Sequence, residues 1–321
     1  MKEAIETREL FILGGGDCIV RGTHHKASND CYYTRSTPAN RDRIGIVFLN
    51  SLSPTRAWKG DASVYWADSF AACGYSSFRL DLPGFGDSQE DPPADLLRFI
   101  DQGGYASMAA DKIKELVTRF NLSRVVIAGH CAGAITAIYT ASTSRECGGL
   151  ILLDPYLHVP LAPRSRLWGT LTGLIPLSAL DRLMASIFDR VLRLANQPPR
   201  NSNSALLSRW KELVSGGLPI LIFNTPTNTQ RGGEFDYVSY ILERAGSNSQ
   251  VAVKVIQGAY HSFANLTGRA AVRQHAERWL KDYFPLMKDE EDSVASLCSK
   301  RSDDESQKKT YQNCVHGLPL A

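Results

Sequence analysis

Residues 125–134 read Val-Val-Ile-Ala-Gly-His-Cys-Ala-Gly-Ala, which sets Cys131 between Gly129 and Gly133, each two positions away. The apolar run before Gly129 has the character of a buried strand, and Ala134 to Ala141 that of a helix, so Cys131 stands on a strand-to-helix turn. The apex of such a turn takes a strained backbone and needs small neighbours, which the two glycines supply. The turn lifts the sulfur clear of the sheet and puts it at a helix N-terminus, whose dipole favours a thiolate. A thiolate so placed can attack an acyl carbon. A second chemistry-bearing residue is His261, which follows an apolar segment, 251–256, and a turn of small residues, Gly258-Ala259. Its imidazole can take the proton of a thiol.

The elements that must hold these two residues follow from hydrophobic period. Leu10 to Thr23, broken at Gly14-Gly15-Gly16, reads as a β-hairpin. Ile44–Leu49, Ser76–Leu80, Arg124–Ala128, Leu150–Leu153, Pro219–Phe223 and Val251–Ile256 read as strands. Between Tyr105 and Phe120, apolar residues at 105, 108, 109, 113, 116, 117 and 120 have helical spacing, and a further helix runs through Trp66 and Phe70. Strands alternating with helices predict an α/β fold with a mostly parallel sheet covered on both faces. The strand pattern stops between Asp154 and Gly217, where Leu177, Leu180, Leu183, Met184, Ile187, Phe188, Val191 and Leu192 recur at helical spacing. The expected organisation is therefore a core of 1–154 and 218–286, an inserted helical cap at 155–217, and a charged, disordered tail at 287–321.

Composition excludes several classes. With 36 basic and 33 acidic residues, a net charge of +3 and no bank of one sign, the chain carries no footprint for nucleic acid. Seven cysteines at 18, 31, 73, 131, 147, 298 and 314, with neither a CxxC pair nor a Cys/His rhythm, indicate free thiols in a reducing compartment and no zinc site. No metal or cofactor is expected. Residues 1–6 lack the apolar stretch of a secretory leader and no apolar run spans a bilayer, so the expected address is cytoplasmic. Oligomeric state is not encoded in any readable pattern.

The G-x-C-x-G turn, midway along an α/β pattern, resembles the G-x-S-x-G nucleophile elbow of the α/β-hydrolase superfamily with cysteine in place of serine, over residues 44–284. The resemblance is closest to dienelactone hydrolases and exosortase-associated hydrolases. The latter share the G-x-C-x-G-A elbow, a Glu-Phe pair as in Glu234-Phe235, and His-polar-Phe as in His261-Ser262-Phe263. A Ser-to-Cys replacement made to trap an acyl intermediate would leave the same sequence.

The resemblance implies the order nucleophile, acid, base, which makes the late His261 the base. It also implies that Asp81 to Ser88, Asp-Leu-Pro-Gly-Phe-Gly-Asp-Ser, is a structural loop, and no phosphate-cradling motif is present. The superfamily places an acid just after the strand 219–223, where this chain has Asn228. Glu234 and Asp236 stand 27 and 25 residues before His261, matching the length of one helix, one strand and their turns; Glu234 is preferred. Asp154, at the end of strand 150–153, is the runner-up, since some lipases of this fold take their acid there. The oxyanion donors implied are the backbone N–H groups of Ala132 and of Leu52 or Ser51, in a loop where the family often has His-Gly and this chain has Asn50-Ser51.

Sulfur in place of oxygen makes the intermediate a thioester, so esters and thioesters, the latter carried on CoA or a carrier protein, are natural small-molecule substrates. Three functions follow as expectations: an acyl hydrolase or thioesterase with Cys131, His261 and Glu234; an acyltransferase or cyclase using the same intermediate; and a non-catalytic binding protein of the same fold.

Overall fold

The computed structural model describes residues 7–15, 18–28, 43–157, 197–199, 201–226, 235–246 and 249–286. The strands are β1 (Arg8–Leu13), β2 (Val20–His25), β3 (Ile44–Phe48), β4 (Ser77–Asp81), β5 (Arg124–His130), β6 (Cys147–Leu153), β7 (Ile220–Asn224) and β8 (Val251–Val255). The helices, numbered among the described residues, are α1 (Ala62–Ala72), α2 (Leu96–Asp101), α3 (Ala106–Arg119), α4 (Ala132–Ala141), α5 (Ser204–Ser215), α6 (Tyr237–Ala245) and α7 (Leu266–Tyr283).

The eight strands form one sheet in the order β1-β2-β4-β3-β5-β6-β7-β8 among the described residues. β1 and β2 make the expected antiparallel hairpin, with Leu13 opposite Val20, and β2 runs antiparallel to β4. From β4 to β8 all neighbours are parallel. Two-residue alternation sorts the strand side chains onto two buried faces. Val47, Val125, Ile127, Leu150, Leu152, Ile220 and Ile222 join the core under α2 to α6. Ile46, Phe48, Val126, Ala128, Ile151, Leu153, Leu221 and Phe223 are also buried, and the aromatic side chains beside Phe48 are Trp58 and Phe70. This second face lies under α1 and α7, which pack on each other through Trp66, whose indole donates to the Arg269 carbonyl. Burial on both faces explains why the strands read as continuous apolar runs.

Every residue of α4 is buried, which fits a helix wedged between sheet and outer helices. α5 falls inside the interval read as an inserted cap. It is capped by the Asn203 side chain, which accepts from Leu206 N–H at 3.0 Å. It buries Leu206, Leu207, Trp210 and Val214 in the same core as α4, about 1.5–3 kcal/mol for each such side chain removed from water. Residues 204–215 thus serve the core. The rest of the interval, 158–196 and 200, lies outside the described residues, as does the tail 287–321. The chain divides into two units, 1–284 and 285–321.

Candidate active site at the carboxyl end of the sheet

The chain passes from β3 to β4 on one side, then returns across β3 to place β5 on the other. Loops leaving the carboxyl ends of strands diverge at such a reversal and leave a crevice between them. Cys131 follows β5 at that crevice with φ 54° and ψ −116°, a conformation that costs a residue bearing a Cβ on the order of 1–3 kcal/mol. Neighbours hold it there. Its N–H donates to the Leu153 carbonyl at 2.8 Å, continuing the ladder between β5 and β6. A Cβ on Gly129 would lie 2.3 Å from the Gly133 carbonyl oxygen, and one on Gly133 would lie 2.4 Å from that of Asn50. Only glycine lets α4 start this close to both β5 and the loop after β3.

His261 enters from the loop after β8. That loop turns at Gly258 (φ 71°) and is pinned by Phe263, fully buried with φ 51°, whose N–H donates to the Tyr260 carbonyl at 2.7 Å. Asn265 Nδ2 closes the turn on the Gly258 carbonyl at 2.9 Å. The His261 ring is half-exposed, and its Nδ1 donates to Asp154 Oδ2 at 2.9 Å. Its ring is also near enough to Cys131 for the sulfur to favour the protonated imidazole. Asp154 first, and Cys131 second, push the His261 pKa up to about 9, so the ring is positively charged at neutral pH.

Asp154 follows β6, takes a left-handed φ of 42° and is buried. Its N–H donates to the Phe223 carbonyl at 2.7 Å, which ties it to β7. Burying a carboxylate without donors is expensive. Here Oδ1 accepts from Thr225 N–H and Oδ2 from the Thr225 hydroxyl, both at 2.7 Å.

The acid preferred from the sequence, Glu234, lies outside the described residues, as does Asn228. Asp236 is engaged elsewhere, capping α6 by accepting from Ser239 N–H at 3.0 Å and Ser239 Oγ at 2.7 Å. The described carboxylate on His261 Nδ1 is that of Asp154. Asp154, the runner-up from the sequence, reaches His261 from one strand earlier than the position after β7, because β6 and β7 are neighbours in the sheet.

Ala132 opens α4, in the turn whose N–H groups have no acceptor within the helix. The loop after β3 lies against it, with Ser51 N 3.2 Å from where a Gly133 Cβ would stand. Leu52 is partly exposed beyond it. The side chains of this loop are committed to holding it. Asn50 Oδ1 accepts from Leu82 N–H at 2.7 Å and Asn50 Nδ2 donates to Asp81 Oδ1 at 3.2 Å. Asp81, fully buried, also accepts from Arg56 and from Asp87 N–H at 3.2 Å. A Cβ on Gly86 (φ 53°) would overlap the Asp81 carboxylate at 2.2 Å. The 81–88 loop is therefore the anchor of the 50–56 loop.

His130, next to the elbow, ties the two loops together. Its Nε2 lies 2.7 Å from the His261 carbonyl oxygen and its Nδ1 lies 3.2 Å from Ser51 Oγ. A carbonyl only accepts, so Nε2 carries the hydrogen. Burial, reinforced by the charge of His261, pushes the His130 pKa down to about 4, so Nδ1 is bare and the Ser51 hydroxyl donates to it. That commits the Ser51 hydroxyl to His130. The clue in the sequence was position alone: a residue next to an elbow shares its neighbours.

His25 is also buried, with Asp68 Oδ1 at 2.7 Å from Nδ1 and Arg79 Nε donating to Nε2 at 2.8 Å. Burial, with Arg79 adding to it against the pull of Asp68, brings its pKa to about 4. For both histidines the unfolded chain binds protons between pH 6.5 and 4 while the folded one does not. Their contribution to stability is thus complete above about pH 6.5 and falls as pH drops toward 4. Urea denaturation from pH 7 to 4 should show this loss, with a shallower slope in His130→Ala. That variant also leaves the His261 carbonyl and Ser51 hydroxyl without a partner, at about 1–3 kcal/mol for each group. A slope unchanged in both His130→Ala and His25→Phe contradicts the assignment.

Among the described residues no cluster of three or more His, Cys, Asp or Glu could hold a metal ion, and no helix is long and apolar enough to cross a membrane. Residues 46–285 match the sequence model of a family described as "Alpha/beta hydrolase family". Of curated proteins, none matches the chain. Among solved structures, the chain is similar to a serine hydrolase from the polyaromatic-hydrocarbon-degrading bacterium Cycloclasticus zankles, with a TM-score of 0.51 and 14% identity over 86% of this chain and 99% of that one. It is also similar to a dienelactone hydrolase from Anabaena variabilis, with a TM-score of 0.50 and 17% identity over 88% of this chain and all of that one. At these identities the structures speak to the fold. The family match covers most of the chain, from β3 through α7: this protein is a hydrolase of the alpha/beta kind and belongs to the alpha/beta hydrolase family.

Proposed function

We propose that the protein is an acyl hydrolase or thioesterase that works through a covalent acyl-Cys131 intermediate on a small ester or thioester. The observation that carries this is Cys131 at the strained strand-to-helix turn, electrostatically coupled to a His261 ring that is held by the Asp154 carboxylate at 2.9 Å. Cys131 Sγ, as the thiolate, attacks the acyl carbon, and the carbonyl electron pair moves onto oxygen. The N–H of Ala132 and that of Leu52 or Ser51 receive this oxyanion. It collapses to a thioester, and the departing thiol or alcohol takes the proton from His261. Water then loses a proton to His261 and attacks the thioester, and Cys131 leaves as the thiolate. Asp154 keeps the imidazole in one tautomer and one orientation throughout.

A base held at about pKa 9 stays protonated across neutral pH. The rate of acylation should therefore hold up to about pH 9 and fall above it, as the imidazolium that protonates the leaving group is lost. Alkylation by iodoacetamide gives a second check. Cys131 should react faster at pH 7 than Cys147, whose thiol burial pushes up to about 12. A Cys131 rate no greater than that of the other thiols would favour the binding-protein reading. The test of the reaction itself is product analysis with an acyl-CoA and a nitrophenyl ester, in buffer alone and with an added amine or alcohol. Free acid in every case supports hydrolysis. An amide or new ester formed through Cys131 makes the protein an acyltransferase.

A further inference from the structure

Thr225 is the first residue after β7 and is fully buried. Its N–H donates to Asp154 Oδ1 and its hydroxyl to Asp154 Oδ2, each at 2.7 Å. Oδ2 is also the oxygen that accepts the His261 Nδ1 hydrogen at 2.9 Å. The χ2 torsion of an aspartate is broad and roughly two-fold, so Asp154 by itself selects neither the oxygen that meets the imidazole nor the tilt of the carboxylate. Two donors on one short, β-branched residue, one aimed at each oxygen, do select them. The backbone behind those donors is fixed as well. Asp154 N–H donates to the Phe223 carbonyl at 2.7 Å, and Ile256 N–H to the Asn224 carbonyl at 2.9 Å, so the end of β7 is laddered on both sides.

We propose that Thr225 is a positioning residue of the active site, clamping the Asp154 carboxylate in the plane where His261 takes up and returns its proton. The proposal rests on Asp154 being the acid of the site. The hydroxyl also withdraws some electron density from Oδ2, which works against a strong bond to Nδ1. Orientation is the larger effect, since a rotated carboxylate loses the bond altogether.

Thr225→Val keeps the shape and the backbone N–H and deletes the hydroxyl; Thr225→Ser keeps the hydroxyl. In the valine variant kcat should fall about tenfold with KM unchanged, the loss expected for a misaligned catalytic group. Its basic pH limb should move from near 9 toward the ordinary histidine value. The downfield proton resonance of His261 Nδ1 should broaden or move upfield. The serine variant should recover all three. Should the valine variant not fold, Thr225→Ala is read in the same way. A folded variant without the hydroxyl that keeps the pH limb and the Nδ1 resonance of the parent overturns the clamp, whatever its kcat. Asp154→Asn separates the two levels. If it is crippled while Thr225→Val behaves as the parent, the clamp alone is wrong. If it too behaves as the parent, the assignment of Asp154 fails and the clamp with it.

Discussion

Asp154→Asn is expected to lower kcat by roughly 10³–10⁴-fold with KM little changed, the size of effect seen when a triad acid loses its charge but keeps its shape. The expectation comes from atoms. His261 Nδ1 carries one hydrogen, and Asp154 Oδ2 accepts it at 2.9 Å. An asparagine there can turn its amide N–H toward Nδ1, which favours the tautomer with the hydrogen on the nitrogen facing Cys131. The imidazole then cannot take a proton from that side. Removing the carboxylate also removes the largest influence holding the ring pKa near 9, so the basic limb of the pH profile should drop with the rate. Glu234→Gln should leave kcat unchanged, because the single Nδ1 hydrogen already has its acceptor. The opposite ranking, a silent Asp154→Asn and a crippled Glu234→Gln, would return the acid to its place after β7. Steady-state kinetics of the two variants with one thioester decides between them.

Cys131→Ala is expected to cost still more, on the order of 10⁵-fold in kcat, because the variant has no atom with which to form the intermediate. What survives is the contribution of the backbone donors and of substrate binding. Folding should be little affected: the side chain is only partly buried, and alanine at φ 54° bears the same backbone strain as cysteine. Cys131→Ser is the more instructive change. The hydroxyl fits the same turn, but it holds its proton far more tightly than a thiol, so it depends on His261 acting as base rather than as a ready-made acid. Asp154 alone still holds the ring pKa above the ordinary value, while the contribution of Cys131 is gone, so the serine variant should be slower than the parent at pH 7 and gain on it as rising pH frees the imidazole.

The parts of this protein that were legible in its sequence are those written in local pattern. The strands showed themselves because burial on two faces leaves no polar alternation, as in Val125 to Ala128 and Ile220 to Phe223. The turn at Cys131 showed itself because its strain demands Gly129 and Gly133 on either side. His261 was visible because a strand and a small-residue turn lead into it, and in the folded chain its Nδ1 meets the Asp154 carboxylate. The carboxylate that meets His261 was harder. Asp154 and His261 are 107 residues apart and meet only because β6, β7 and β8 lie side by side, so their contact is a property of strand order. Counting residues from His261 favoured Glu234 for that reason. Thr225 was invisible by the same logic, since a threonine after a strand has no chemical signature until the carboxylate it holds is known. Asn50 and His130 carry one more lesson. Asn50 reads as a departure from the family pattern, yet its side chain ties the loop after β3 to the loop after β4, and His130 ties the loops after β3 and β8 to the elbow.

The account stands on sulfur as the point of covalent attachment. Mixing the protein with an activated thioester, quenching in acid within the first turnover and mapping the added acyl mass by peptide mass spectrometry tests this most directly. The expected result is one acyl group per chain on the peptide containing Cys131, absent from Cys131→Ala and released on a time scale matching turnover. Turnover with no adduct on Cys131, or an adduct and turnover that persist in Cys131→Ala, would contradict it.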